Sequence, residues 1–261
     1  MTEPIALWTT DAEAPADAPS LRARRFEYSS RGDRVPGLLL LPAGGHGPFP
    51  LVLLQHGAGG SKHSDYLDAA RLPWVQRGVA VASIDFPLHG ERTSAKLSEQ
   101  LLGVAANTVR AAHADTIALW SEFSRQSVVD LGRAFDALAE FPELDAQRVA
   151  YAGFSLGAIL GALFCPTDPR PRAAALALGG AGIGPPEFDP AARIGAFAPR
   201  PLLFVNATRD ERIPRAAAEA LHAAAGDPKE IAWFECGHND LPGAGLKTMW
   251  RFLAKQLDVA A

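Results

Sequence analysis

Three residues of this chain have the types and spacing for covalent acyl transfer: Ser155, Asp210 and His238. Ser155 lies in Gly153-Phe154-Ser155-Leu156-Gly157, a G-x-S-x-G pattern between a strand-like run at 148–152 and a helix-like run at 156–164. A serine in such a turn projects its hydroxyl above the sheet, and the flanking glycines remove side chains that the turn could not hold. The helix N-terminus beneath offers free N–H groups to a developing oxyanion. The bare pentapeptide is a weak signal, and its strand-to-helix context makes it a strong one.

A serine hydroxyl is a poor nucleophile at neutral pH. An imidazole must take its proton, and a carboxylate must hold that imidazole in the right tautomer. Both partners are expected after the serine in chain order, each just past a later strand. The run 201–205 leads into a loop carrying Asp210, and the run 230–234 leads into Cys236-Gly237-His238-Asn239-Asp240. Glu211 is the nearest rival for the acid. Asp240 is another, but it stands too close to His238 to reach the far ring nitrogen. His222 falls in an Ala-rich helical stretch and reads as a surface residue.

Gln55-His56-Gly57-Ala58-Gly59-Gly60-Ser61 follows the apolar run 50–54. A Gly-rich turn there can aim the main-chain N–H of Ala58 at the point addressed by the N–H of Leu156, so these two are the expected oxyanion donors. His56 reads as a residue that shapes the turn rather than as a second catalytic histidine. The Lys-Ser/Thr pair of a phosphate-binding loop is missing, since the order here is Ser61-Lys62-His63.

Strand-like runs at 22–30, 38–41, 50–54, 78–84, 148–152, 173–178, 201–205 and 230–234 alternate with helical stretches over most of the chain. The longest helix is expected over about 115–140, with Ile117, Trp120, Phe123, Val128, Leu131, Phe135 and Leu138 on its apolar stripe and Asp130 and Asp136 in solvent. This pattern predicts an α/β fold with a mostly parallel sheet of about eight strands, helices on both faces and a small lid-like insertion. Residues 1–21 read as an N-terminal arm and 22–261 as a single domain. The segment 89–114 is long for a plain connection. Leu97, Leu101, Leu102 and Val104 suit a lid over a pocket mouth.

The 261 residues are 48% hydrophobic and 21% charged with a net charge of −4, which suits a globular protein with a substantial core. No Lys/Arg run suggests nucleic acid or an anionic membrane. Arg22, Arg24 and Arg25 read as a solvated strand edge. The acidic, Pro/Ala-rich start has neither the basic nor the apolar region of a signal peptide, and no window is apolar enough to span a membrane. Two cysteines, Cys165 and Cys236, fit a reducing compartment, so a cytoplasmic monomer or homodimer is expected. No metal or organic cofactor is implied.

The combination of His56-Gly57-Ala58-Gly59-Gly60, Asp85-Phe86-Pro87-Leu88-His89-Gly90-Glu91-Arg92, Gly153–Gly157, Asp210 and Gly237-His238 resembles the α/β-hydrolase superfamily. More narrowly, it resembles bacterial esterases of the dienelactone-hydrolase and prolyl-oligopeptidase-like branch. The resemblance covers roughly residues 22–258. It implies a serine carboxylesterase acting on a small-molecule ester of short to medium chain length. Ser155 stands where dienelactone hydrolases proper carry cysteine, which shifts the expectation from a lactone to general esters. The arm is too short to replace the propeller of the peptidases. In this resemblance 85–92 is a loop beside the pocket, fixed by an Asp85–Arg92 ion pair or else presenting Arg92 to a substrate carboxylate. Phe86, Leu88, Phe154, Ile183, Phe188 and Leu241 are the expected pocket walls. A thioesterase, amidase or peptidase with the same triad, or a non-catalytic binding protein of the same fold, stays open at this point.

Overall fold

In the computed structural model, which describes residues 5–104, 109 and 111–260, the apolar runs pair into one sheet. Its strands are β1 (Leu7–Ala12), β2 (Arg22–Ser30), β3 (Asp33–Leu41), β4 (Phe49–Gln55), β5 (Ala80–Ile84), β6 (Leu144–Phe154), β7 (Pro171–Ala177), β8 (Leu202–Ala207) and β9 (Lys229–Phe234). The helices are α1 (Asp65–Gln76), α2 (Ala95–Leu102), α3 (Ala114–Leu138), α4 (Leu156–Phe164), α5 (Arg215–Ala224) and α6 (Gly243–Gln256). The sheet has nine strands in the order β1-β2-β3-β5-β4-β6-β7-β8-β9. From β5 to β9 neighbouring strands run parallel, and the β1-β2-β3 meander adds antiparallel to β5.

The central strands are buried on both faces, and their alternation feeds two separate cores. Leu51, Leu53, Tyr151, Leu176 and Phe204 point into one core with α3 and α4. Val52, Leu54, Ala150, Ala175 and Val205 point into the other with α1 and α6, where Trp74 stacks on Trp250. Among the described residues no helix is long and apolar enough to cross a membrane.

Three expectations need correction. Residues 7–12, expected to belong to a loose arm, form an edge strand paired with β2 from Leu7↔Tyr28 to Ala12↔Ala23. Backbone pairing and the Arg34 guanidinium over the Trp8 ring at 4.5 Å hold this strand, and its mostly exposed side chains leave no apolar period to read. Asp130 is buried, not solvated. Strand β2 packs across that flank of α3, with Tyr28 donating its hydroxyl proton to Asp130 O at 2.6 Å. Arg92 and Asp85 do not form a side-chain ion pair. Arg92 pairs with Asp130 at 2.7 Å and Asp33 at 3.0 Å, and it reaches only the main-chain oxygen of Asp85.

The expected lid segment contains a short turn of 3-10 helix (Gly90–Arg92) and α2. Residues 105–108 and 110 of that segment lie outside the described residues.

Candidate active site

Strand β6 runs out into Ser155, and α4 begins at the next residue. Ser155 takes φ 51 and ψ −112, a conformation that a side-chain-bearing residue keeps only where its surroundings enforce it. Here they do. Ser155 N donates to Ala177 O on β7 at 2.8 Å, and Ser155 O accepts from Ile159 N at 3.0 Å. The glycines are required by close approach: a Cβ on Gly153 would stand 2.5 Å from Gly157 C and O, and one on Gly157 2.8 Å from Gln55 O and His56 O.

Ser155 Oγ lies 2.9 Å from His238 Nε2, and His238 Nδ1 lies 2.9 and 2.8 Å from the two carboxylate oxygens of Asp210. An ionised carboxylate only accepts, so Nδ1 carries the ring proton and Nε2 is left to accept from the serine hydroxyl. The histidine and aspartate side chains are 4% and 5% exposed, which shields their interaction from water. Asp210 Oδ1 also accepts the N–H groups of Arg212 and Ile213 at 2.9 and 2.8 Å, so the loop's own backbone fixes the carboxylate.

The rival acids are placed elsewhere. Glu211 Oε2 accepts the main-chain N–H of His238 at 3.1 Å, and this bond draws its carboxyl below the ordinary range. Asp240 is exposed, and its N–H turns back to Gly237 O. His222 is half-buried, with its ring edge-on to Phe204.

The turn after β4 reaches the serine directly, since a Cβ on Gly57 would sit 3.3 Å from Ser155 Cβ. Gly57 N donates to the Tyr66 hydroxyl at 2.7 Å, which leaves Ala58 as the next N–H along the turn. Leu156 is the first residue of α4, so its N–H has no partner within the helix. Ala58, Ser155 and Leu156 line one cavity together.

Two networks tie this turn to the loop after β5. Buried His56 donates from Nδ1 to Gly57 O at 2.8 Å and accepts Phe86 N at Nε2 at 3.3 Å. Burial pushes its pKa down to about 4, so both nitrogens serve as turn-shaping groups on a neutral ring. Buried Lys62 places Nζ 2.7 Å from Asp85 and 2.5 Å from Glu91, while Asp85 also accepts Lys62 N and Glu91 N at 2.8 and 2.9 Å. Burial works to raise the Asp85 carboxyl pKa, but Lys62 and these N–H groups hold it below its ordinary value.

Two cavities flank Ser155. The smaller, about 220 Å³, is lined by Tyr66, Phe154, His238, Asn239, Leu241 and Leu246 among others. The larger, about 440 Å³, is lined by Leu101, Leu102, Val104, Trp120, Ile159 and Ile213 among others. Of the expected walls, Phe154 and Leu241 line the smaller cavity.

The remaining expected walls lie away from both linings. Phe86 is buried edge-on against His56 at 4.9 Å. Half-buried Leu88 turns the chain at φ 61, and its carbonyl accepts from Ser98 Oγ at 2.7 Å. Ile183 is buried in a small cluster with Ile159 and Ile213, and Phe188 lies under the Arg125 guanidinium at 5.6 Å. Leu101, Leu102 and Val104 line the larger cavity, Leu102 from an exposed position, while Leu97 is exposed and outside both linings. Tyr66 and Trp120 were not among the expected site residues. Trp120 belongs to the apolar stripe of α3, which explains it equally well as packing, and Tyr66 is an exposed residue in the first turn of α1, so only the fold singles them out.

Among the described residues no group of three His, Cys, Asp or Glu side chains is spaced to hold a metal ion. Cys165 and Cys236 are both free and buried.

The parallel sheet, the strained serine between β6 and α4, and the later loops carrying Asp210 and His238 define an α/β-hydrolase fold. The chain belongs to the FrsA-like esterase family, whose model matches residues 9–179. That match includes Ser155 and stops short of Asp210 and His238. Esterase FrsA of Yersinia pestis (strain Pestoides F) is 28% identical over 150 residues, which cover 58% of this chain and 30% of that protein. The match thus spans less than a third of the relative's length.

Solved structures share the fold over nearly the whole chain. A cold-adapted esterase from an Arctic intertidal metagenomic library has a TM-score of 0.77 and 23% identity, covering 95% of this chain and 97% of its own. An acetyl xylan esterase from Paenibacillus sp. R4 has a TM-score of 0.77 and 20% identity, with coverages of 97% and 89%. A dienelactone hydrolase-like protein from Klebsiella pneumoniae subsp. pneumoniae has a TM-score of 0.68 and 17% identity, with coverages of 97% and 99%.

Proposed function

We propose that the protein is a serine carboxylesterase acting on short- to medium-chain carboxylic esters through an acyl-enzyme. The observation that carries this reading is the unbroken hydrogen-bond chain Ser155–His238–Asp210 beside an open cavity. Ser155 Oγ attacks the ester carbonyl while His238 Nε2 takes its proton, and Asp210 stabilises the imidazolium that forms. The N–H groups of Ala58 and Leu156 receive the developing oxyanion. His238 then gives its proton to the departing alcohol. A water molecule, deprotonated by the same imidazole, releases the acid. The two free thiols support a reducing, cytoplasmic setting as part of this reading.

The test is hydrolysis of p-nitrophenyl esters from C2 to C12 by the wild type and by Ser155→Ala. Turnover that disappears in the variant is expected. A well-folded wild type that turns over none of the series would overturn the proposal.

A further inference from the structure

The two cavities beside Ser155 differ in which catalytic groups they contain. Resting on the esterase reading, we propose that they divide the substrate. The larger takes an apolar, medium-length acyl chain, and the smaller takes a compact, polar alcohol.

The assignment follows from where the proton must go. His238 lines the smaller cavity and does not line the larger, whereas Leu156 lines the larger and does not line the smaller. Ala58, Ser155 and Arg212 border both. When Ser155 Oγ bonds to the carbonyl carbon, its proton passes to His238 Nε2. When the bond from that carbon to the alcohol oxygen breaks, the same proton passes to that oxygen, which must therefore face Nε2. The alcohol accordingly lies in the cavity that His238 lines. With the carbonyl oxygen turned to Ala58 and Leu156, the acyl chain is directed into the cavity on the far side. Water replaces the alcohol on the histidine side in the second half of the reaction, and the same imidazole takes its proton.

The walls agree with this division. Six large apolar side chains, Leu101, Leu102, Val104, Trp120, Ile159 and Ile213, line the cavity of about 440 Å³, with Glu211 and Arg212 also in its lining. That volume falls within the range of small-molecule sites. The cavity of about 220 Å³ has half the volume, and Tyr66 and Asn239 join His238 in its lining and are absent from that of the larger. An alcohol with further hydroxyls finds Tyr66 and Asn239 there, whereas a long alkyl alcohol finds half the volume that the larger cavity offers.

The experiment uses two ester series with the wild-type chain. In ethyl esters with acyl groups from C2 to C12, kcat/KM is expected to rise about fourfold per added methylene until the larger cavity fills. In octanoyl esters of ethanol, glycerol, hexanol and decanol, no such rise is expected, and glyceryl octanoate should be turned over better than hexyl octanoate. Leu102→Trp should move the acyl optimum to shorter chains without reordering the alcohols. Leu246→Trp should change the alcohol ranking without moving the acyl optimum. Turnover that grows with the alcohol instead of the acyl group, or variants that exchange these effects, would overturn the division while leaving the esterase standing. Absence of turnover in both series by folded protein would overturn the esterase reading and the division together.

Discussion

The turn after β4 and the loops after β8 and β9 converge on the same serine, but different forces hold them. The first is built into the protein interior. Lys62, Asp85 and His56 are all buried, and each joins the turn to the loop after β5. The later loops lie nearer solvent. Asp210 is fixed by two N–H groups of its own loop, and the exposed Arg209 and Glu235 side chains meet at 3.4 Å. The difference separates two tasks. Backbone donors for an oxyanion have no side chain to adjust and depend on a rigid frame. A histidine and an aspartate orient each other once their loops bring them within hydrogen-bond reach.

The comparison predicts that damage to the later loops appears in rate and damage to the earlier turn appears in stability. Asp210→Asn should lower kcat by roughly 10⁴-fold while thermal unfolding stays close to wild type, because the amide favours the wrong imidazole tautomer. A variant that kept kcat within tenfold would hand the acid role to another residue. Lys62→Met leaves the buried Asp85 carboxylate without its cation, while Glu91 keeps Arg25. It should cost roughly 3–5 kcal/mol in urea unfolding, against less than about 1 kcal/mol for Arg209→Ala on the exposed side. Equal costs for the two would erase the distinction.

Acid should loosen the earlier turn first. Burial holds the His56 pKa at about 4, while an unfolded imidazole titrates near about 6.5. Between these values the unfolded chain binds a proton that the folded chain refuses. Stability is therefore greatest above about pH 6.5 and falls by up to about 3 kcal/mol as pH drops to about 4. His89, also lowered chiefly by burial, adds to the same slope. Denaturant melts across this window should show the loss, and His56→Gln should flatten it. The smallest effect is expected at Glu211, which steadies the main chain of His238 from an exposed position. Glu211→Gln should change kcat only a few-fold in steady-state assays.

The parts of this molecule that could be read from its sequence are those where chemistry or periodicity acts locally. The elbow glycines are dictated by contacts within a few residues and with the adjoining β4 turn, and the long stripe on α3 follows from its own spacing. Asp130 could not be read because its partner Arg92 is distant in sequence and β2 seals the helix flank from outside. Strand β1 could not be read because it is held by main-chain pairing rather than by an apolar face. The cavity walls failed for a related reason. An aromatic such as Phe86 is equally suited to core and pocket, and the packing of His56 against it settles which.

The most direct test of Ser155 as nucleophile is labelling with a fluorophosphonate, followed by intact-mass measurement and peptide mapping. A single adduct on Ser155 is predicted, absent in Ser155→Ala and formed at least about 10²-fold more slowly in His238→Ala. Folded wild-type protein that takes no label, or that takes it on a different residue, would contradict the account.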